Sequence, residues 1–302
     1  MHSTSFHQLN ADRGLSAPGK AAYFALNWLR NQWRPAAADP SLVQCSFRCE
    51  LDDADWARLG TGTTPTRRLS DLFWLKLPWS DIERELGTIQ VFDTGCGDGR
   101  YATKLDDYSG GRIAGYTGID ARRRADWNEL GSRDARFSFL EVASTDIAPL
   151  IPPQANLLIT QSAIEHFDED LGFFETLRDH AAKAAGPVLQ AHLLPSRACL
   201  WLYLFHGVRQ YTPRGLSPIT RLFTDFSDCR LFALGGRHCN ALHWSTLTRP
   251  SLGRGGDDLE ALMNDDYERA LRAAVEADLR DASEPSFYAL VIHSKPNTPL
   301  FD

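Results

Sequence analysis

The segment Val91-Phe92-Asp93-Thr94-Gly95-Cys96-Gly97-Asp98-Gly99-Arg100-Tyr101 constrains this chain more than any other. An apolar run ends in glycines at alternate positions, and a helix-forming stretch follows. Glycine leaves the backbone between strand and helix free of side chains, so a ligand approaches the main chain closely. Amides at a helix start supply donors and positive partial charge for a carboxylate or phosphate. Asp93, just before the loop, repels a pyrophosphate but accepts a hydrogen bond from an ammonium group. In the dinucleotide fingerprint G-x-G-x-x-G the third glycine position falls here on Arg100, and Gly99 comes one residue early.

Around this unit short apolar runs alternate with helical patterns. TIQVFDTG, AGYTGID, RFSFLEV, ANLLITQ, PVLQAHLL, CRLFALGG and SFYALVIHSK read as strands. RYATKLDDY and RRRADWNELG read as helices, as does DEDLGFFETLRDHAAKAAG, with Leu171, Phe174, Leu177 and Ala181 on one side. The alternation predicts a parallel sheet covered on both faces. Upstream, residues 16–33 read as a helix, DDADWARLG as a short Asp-capped helix, and GTGTTPTRR as a loop. SDLFWLKLPW and SDIERELG read as helices opened by Ser-Asp. Residues 1–80 are therefore expected to form a helical cap or extension, and 81–302 the sheet domain, with an aromatic insertion at about 195–250.

Composition narrows the class. The 302 residues suffice for a core of their own, and a net charge of −7 argues against nucleic acid as the partner. No run of about 18 apolar residues is present, which argues against a membrane helix. Residues 1–20 lack the apolar centre of a secretory signal. Six cysteines without a C-x-x-C pair argue against a disulfide framework or zinc ribbon, and a cytoplasmic location is expected. Cys45 and Cys49 suit one helix face. His238, Cys239 and His243 have no companion carboxylate cluster, so no metal is expected.

A ligand with both a carboxylate and an amine satisfies the loop and Asp93 together, as the methionine part of S-adenosylmethionine does. Gly118-Ile119-Asp120 ends the next strand with an acid suited to both ribose hydroxyls. On these motifs the chain resembles the class I S-adenosylmethionine-dependent methyltransferases, in their small-molecule branch. VFDTGCGDGR resembles the first motif of that family, YTGIDA its ribose motif and FLEVAS its third-strand segment beside adenine. LLITQSAIEHFDED resembles its fourth-strand motif. The match is close over roughly residues 87–195 and loose at the last strand. It implies an α/β, Rossmann-like sheet of seven mostly parallel strands, order 3-2-1-4-5-7-6 with the last antiparallel, plus the N-terminal helical extension. It also implies S-adenosylmethionine as cofactor. Asp93, Gly95, Cys96, Gly97 and Gly99 would hold its methionine part, and Asp120 and Ala121 its ribose. Val142 and Ala143 would flank adenine, with Gln161 and Ser162 beneath the methionine part.

Methyl transfer to a hydroxyl needs alignment, exclusion of water and removal of one proton. Histidine suits the last task. His166, just beyond the fourth strand, is the candidate base or acceptor contact, and His192 a second, weaker candidate. Acceptor recognition is expected outside the sheet core. One region is the N-terminal stretch with Trp74 beside Arg67 and Arg68. The other is the aromatic insertion with Trp201, His206, Arg209 and Tyr211. Of the eight tryptophans, Trp28, Trp33, Trp56, Trp74 and Trp79 lie in the first 80 residues, as a cap docked over the sheet edge would have them. Arg122, Arg123 and Arg124 read as a solvated helix face. The expected function is methylation of a small-molecule acceptor, at an oxygen of a saccharide or secondary metabolite. N-methylation, a nucleotide-binding oxidoreductase and a non-catalytic binding module stand as alternatives. No nucleic acid or membrane partner is expected, and the oligomeric state is left open.

Overall fold

The computed structural model describes residues 15–32, 39–142, 147–204, 209–252, 263–281 and 283–301. The seven apolar runs all become strands: β2 (Ile89–Thr94), β3 (Ile113–Asp120), β4 (Phe137–Glu141), β5 (Leu157–Gln161), β6 (Val188–Pro195), β7 (Ser227–Leu234) and β8 (Phe287–Ser294). An eighth, β1 (Leu42–Ser46), precedes them. The sheet order is β1-β7-β8-β6-β5-β2-β3-β4. Without β1 this is the expected 3-2-1-4-5-7-6 arrangement. β8 runs antiparallel to both β6 and β7, and the other neighbours pair in parallel.

The extra strand corrects the expectation of a purely helical extension and a seven-stranded sheet. β1 pairs with β7 from Leu42–Cys229 to Ser46–Ala233, so residue Cys45 lies on a strand, not a helix. Its sequence, LVQCS, buries only Leu42 and leaves Val43 49 % exposed. An edge strand held by backbone hydrogen bonds carries little apolar periodicity, which is why this one was hidden.

Strand side chains alternate between the two faces. Val91, Ile159 and Leu189 enter one core, and Phe92, Leu158 and Leu290 the other. The first core is covered by α3 (Pro65–Leu75), α4 (Trp79–Leu86), α5 (Arg100–Ser109) and the helix Asp265–Arg280. The second is covered by α7 (Asp170–Lys183) and α9 (Pro213–Thr220). Further helices include α1 (Ala17–Gln32), α2 (Asp53–Arg58), α6 (Asp126–Arg133), α8 (Cys199–Leu202) and α10 (Arg237–His243). None of the described helices is long and apolar enough to cross a membrane.

α3 begins at Pro65, about one and a half turns before Ser70, the start read from its sequence. Thr64 is its N-cap, accepting from the Arg67 amide at 3.3 Å, with Pro65 in the first turn. Arg67 and Arg68, taken for loop residues, are therefore helical. Leu69, Leu72, Phe73 and Trp74 of α3 are all buried, each contributing about 1.5–3 kcal/mol relative to exposure. Arg68 is fully buried, lies 4.4 Å over the Trp56 ring and pairs with Glu268 at 2.9 Å. That pair ties the N-terminal part to the helix Asp265–Arg280. α1 docks by Tyr23, fully buried against Leu200, whose hydroxyl accepts from Gln210 at 3.1 Å.

The winding reverses at β2. From it the chain steps outward to β3 and β4 on one side, and β5 and β6 fill the other. Open α/β sheets bind ligands in the crevice at the C-terminal strand ends of such a switch point.

Candidate functional site

The turn after β2 holds Gly95 at φ +79°, Gly97 at +59° and Gly99, the N-cap of α5, at +82°. A Cβ on Gly95 would lie 2.4 Å from that of Ala163, so glycine there lets β2 and the turn after β5 close together. A Cβ on Gly97 would meet nothing within 4 Å. That position faces open space, and only its left-handed conformation selects glycine.

The loop amides turn inward. Gly95 and Cys96 donate to the Ile119 carbonyl at 2.8 and 3.0 Å, Gly99 to the Cys96 carbonyl at 3.0 Å, and Gly97 to Asp120 at 2.9 Å. Asp98 accepts from the Arg100 amide at 3.1 Å. The expected cradle of free amides is thus engaged, mostly with acceptors on β3. Successive left-handed glycines fold the N–H groups back onto β3. Cys96 is a spacer here: its buried Sγ lies 2.8 Å from where a Cβ on Gly118 would stand. Burial, with Asp93 and Asp120 nearby, pushes its thiol far up.

Two polar atoms beside the loop stay unmatched. Asp93 is fully buried, and Tyr116 donates to its Oδ2 at 2.5 Å. Its Oδ1 has no hydrogen-bond partner among the described residues. Burial pushes the Asp93 carboxyl up to about 7; the Tyr116 hydrogen bond opposes this and the Asp120 charge adds to it. Gln161, at the end of β5, accepts from Trp74 Nε1 at 2.7 Å, and its buried Nε2 has no partner among the described residues. Asp93 pairs in register with Ile159, two residues before Gln161, so both side chains issue from the same face. The unmatched pair is one acceptor and one donor. That set suits a zwitterionic amino-acid group, whose ammonium donates and whose carboxylate accepts.

Asp120 ends β3 half-buried, accepting from Gly97 with Oδ2 and from the Arg122 amide with Oδ1 at 3.1 Å. Each oxygen retains a second lone pair for a hydroxyl. Ala121 and the three arginines after it are exposed. Val142 is half-buried, its amide bonded to the Asp120 carbonyl at 2.9 Å. Ala143 lies outside the described residues. Phe139 and Trp127 stack at 5.6 Å, and Trp127 Nε1 donates to the Gly97 carbonyl at 2.9 Å.

A cavity of about 250 Å³ opens beyond β5 and β6. Its wall includes Ser162, Glu165, His166, Arg67, Tyr203 and Arg209. Ser162 sits at φ +53°, a left-handed conformation that costs a non-glycine residue about 1–2 kcal/mol. This turn presents Ser162 and His166 to the cavity while Ala163 packs on Gly95. His166, on the short turn Ile164–His166, is exposed.

The other sequence candidates are placed differently. His192 is fully buried in mid-β6, against Phe174 and bonded to Thr160 at 3.0 Å. Burial lowers its imidazole to about 3, so it is neutral and far from a proton-transfer role. Trp74 is fully buried too, so it offers no ring face to a substrate and instead holds Gln161. Tyr211 is enclosed, and it bonds with Arg209 and Asp170 at 3.1 and 3.3 Å. Arg209, 4 % exposed, pairs with Asp170 and donates to the Phe167 carbonyl at 2.6 Å, so it braces the cavity wall. Trp201, 46 % exposed, meets Phe24 edge-on at 4.8 Å and lines a separate groove with Trp28 and Trp244. His206 lies outside the described residues.

Thr64, Thr66, Arg67 and Tyr203 line the cavity as a group that composition had disguised as loop and insertion. The dipeptide Thr64-Pro65, a cap followed by a first-turn proline, was the one signal that could have exposed the first three.

No protein-family model and no curated protein matches this chain. Among solved structures it is similar to the plantazolicin methyltransferase BamL in complex with a triazolic desmethylPZN analog and SAH. That identity is 13 %, over 80 % of this chain and 86 % of the other, with a TM-score of 0.45. A SAM-dependent methyltransferase from Archaeoglobus fulgidus gives 14 %, 80 % and 100 %, and 0.44. The N-methyltransferase NodS from Bradyrhizobium japonicum WM9, in complex with S-adenosyl-L-homocysteine, gives 13 %, 82 % and 94 %, and 0.44. Likeness this distant assigns no activity, and the functional reading rests on the chain's own residues.

Proposed function

We propose that this chain is an S-adenosylmethionine-dependent methyltransferase of the class I type, acting on a hydroxyl of a small molecule such as a saccharide or secondary metabolite. The observation that carries the reading is the unmatched acceptor on Asp93 beside the unmatched donor on Gln161, at the switch point of the sheet.

Asp93 Oδ1 would accept from the cofactor's ammonium, and Gln161 Nε2 would donate to its carboxylate. Asp120 would take the ribose hydroxyls, with Val142 beside the adenine. The open side of Gly97 leaves room for that approach. When bound, the cofactor supplies an activated methyl on a sulfonium, whose leaving group is neutral.

The remaining chemistry falls to the cavity. Ser162 and Glu165 line the side nearest β5, and His166 would remove the proton of the acceptor hydroxyl. Residues 1–80 would contribute a cap, since Thr64, Thr66 and Arg67 line the cavity.

Calorimetry with S-adenosylhomocysteine and with NAD tests the reading. The first is expected to bind and the second not. Binding of NAD alone would assign the site to a nucleotide-dependent oxidoreductase, and binding of neither would remove the cofactor reading. A screen of hydroxylated and amine acceptors with labelled methyl donor then identifies the methylated atom.

A further inference from the structure

Arg67 stands apart from the other charges around the cavity. It is half-buried on the first turn of α3 and lines the wall. Among the described residues its guanidinium donates one hydrogen bond, to Tyr101 Oη at 3.1 Å, with that ring 5.6 Å away. No carboxylate among the described residues forms an ion pair with it, although a guanidinium carries five donors.

The acids nearest to it are committed elsewhere. Asp71 takes the Tyr101 hydroxyl and the Lys104 ammonium, both at 2.6 Å. Asp98 holds Arg100 through both of its oxygens. The other cation on the wall, Arg209, is paired with Asp170. Glu165 brings a carboxyl group to the same wall, next to His166 in the chain.

Hydroxyl groups surround the unpaired cation. Thr64 and Thr66 bond to one another at 3.1 Å, and Thr66 bonds to Tyr203. Burial raises the Tyr203 hydroxyl to about 12, so it stays protonated, and the two bonds among these three hydroxyls leave one O–H free to donate. The N-terminal turn of α3 adds positive partial charge at the same wall. A partly desolvated cation, neutral donors and a helix start together favour an oxyanion.

We infer that the acceptor carries an oxyanion, a carboxylate or a phosphate group, and that Arg67 binds it with help from Thr66 and Tyr203. This rests on the methyltransferase reading, because it takes the cavity as the acceptor site. Arg67 is thereby a determinant of acceptor choice, and the reacting hydroxyl lies on the His166 side.

The test uses the wild-type protein saturated with S-adenosylhomocysteine, titrated separately with inorganic phosphate and with acetate. At least one anion is expected to bind, about tenfold more weakly in Arg67→Gln and to an intermediate extent in Arg67→Lys. Tighter phosphate identifies a phosphorylated acceptor, and tighter acetate a carboxylate. S-adenosylhomocysteine affinity is expected to stay the same in both variants. Three results overturn the inference: no anion binding by the wild type, equal anion affinity in Arg67→Gln, or a loss of S-adenosylhomocysteine affinity in a folded Arg67→Lys. The last would assign Arg67 to the cofactor. A wild type that fails to bind S-adenosylhomocysteine overturns the proposed function instead.

Discussion

The loop after β2 and the cavity beyond β5 are built in opposite ways. The loop is one continuous stretch, Asp93 to Tyr101, closed by hydrogen bonds to the next strand at Ile119 and Asp120. The cavity is assembled from three distant pieces, around Arg67, around His166, and around Tyr203 and Arg209. The loop has a fixed internal geometry that depends on glycine conformation and on nearby residues. The cavity depends on how a helical cap, a turn and an insertion dock on the sheet. A site of the first kind suits a constant ligand, and a site of the second kind can change its ligand without disturbing the first.

The division of labour makes the two sites separable by mutation. The largest effect is expected from His166→Ala, which should lower kcat/KM for a hydroxyl acceptor by about 10²–10⁴-fold and leave S-adenosylhomocysteine affinity unchanged. Kinetics and calorimetry on one preparation check both halves of that statement. Unchanged turnover would remove the base from the acceptor site, and weakened cofactor binding would erase the separation.

A smaller effect is expected on the other side. Gly97→Ala puts a methyl group into open space at φ +59°, for a conformational cost of about 1–2 kcal/mol. The folded protein should survive with its thermal midpoint lowered by a few degrees. S-adenosylhomocysteine should bind at least about tenfold more weakly, because the methyl group occupies the approach to the loop. Normal binding by this variant would mean that the ligand lies elsewhere.

The same contrast explains what was legible in the sequence. Strands β2 to β8 stood out because each is an apolar or alternating run, FSFLE of β4 included although it too is an edge strand with one buried residue, and the loop stood out because its glycines and acids are adjacent in the chain. β1 did not, since LVQCS buries only Leu42 and lacks the alternation that marks β4. The inward turn of the loop amides was also hidden, because spacing shows where glycines fall and not which way their N–H groups point. His192 and Trp74 misled for different reasons. His192 was weighed as a base, but strand alternation sends it into the core under α7, while Trp74, weighed as an acceptor contact beside Arg67 and Arg68, is buried against Gln161 by helix periodicity. Arg67 and Arg68 are neighbours with different fates. Arg68 is wholly buried against Glu268, while Arg67 faces the cavity. Only the start of α3 at Pro65 decides which is which.

The account stands or falls on Asp93 meeting an ammonium. Its carboxyl is raised to about 7 by burial, whereas an unfolded aspartate titrates near about 3.9. Between these values the folded protein keeps a proton that the unfolded chain has lost. The unliganded protein should therefore lose stability as pH rises from about 4 to about 7. The ligand's ammonium needs the ionised carboxylate, so binding must expel that proton below pH 7. Calorimetric titration of S-adenosylhomocysteine between pH 5.5 and 8, on the wild type and on Asp93→Asn, measures this directly. The expected wild-type affinity climbs by up to about tenfold per unit as pH approaches 7 and then levels. The expected Asp93→Asn affinity is low and flat. A wild-type affinity independent of pH, with an equally tight Asp93→Asn, would contradict the account.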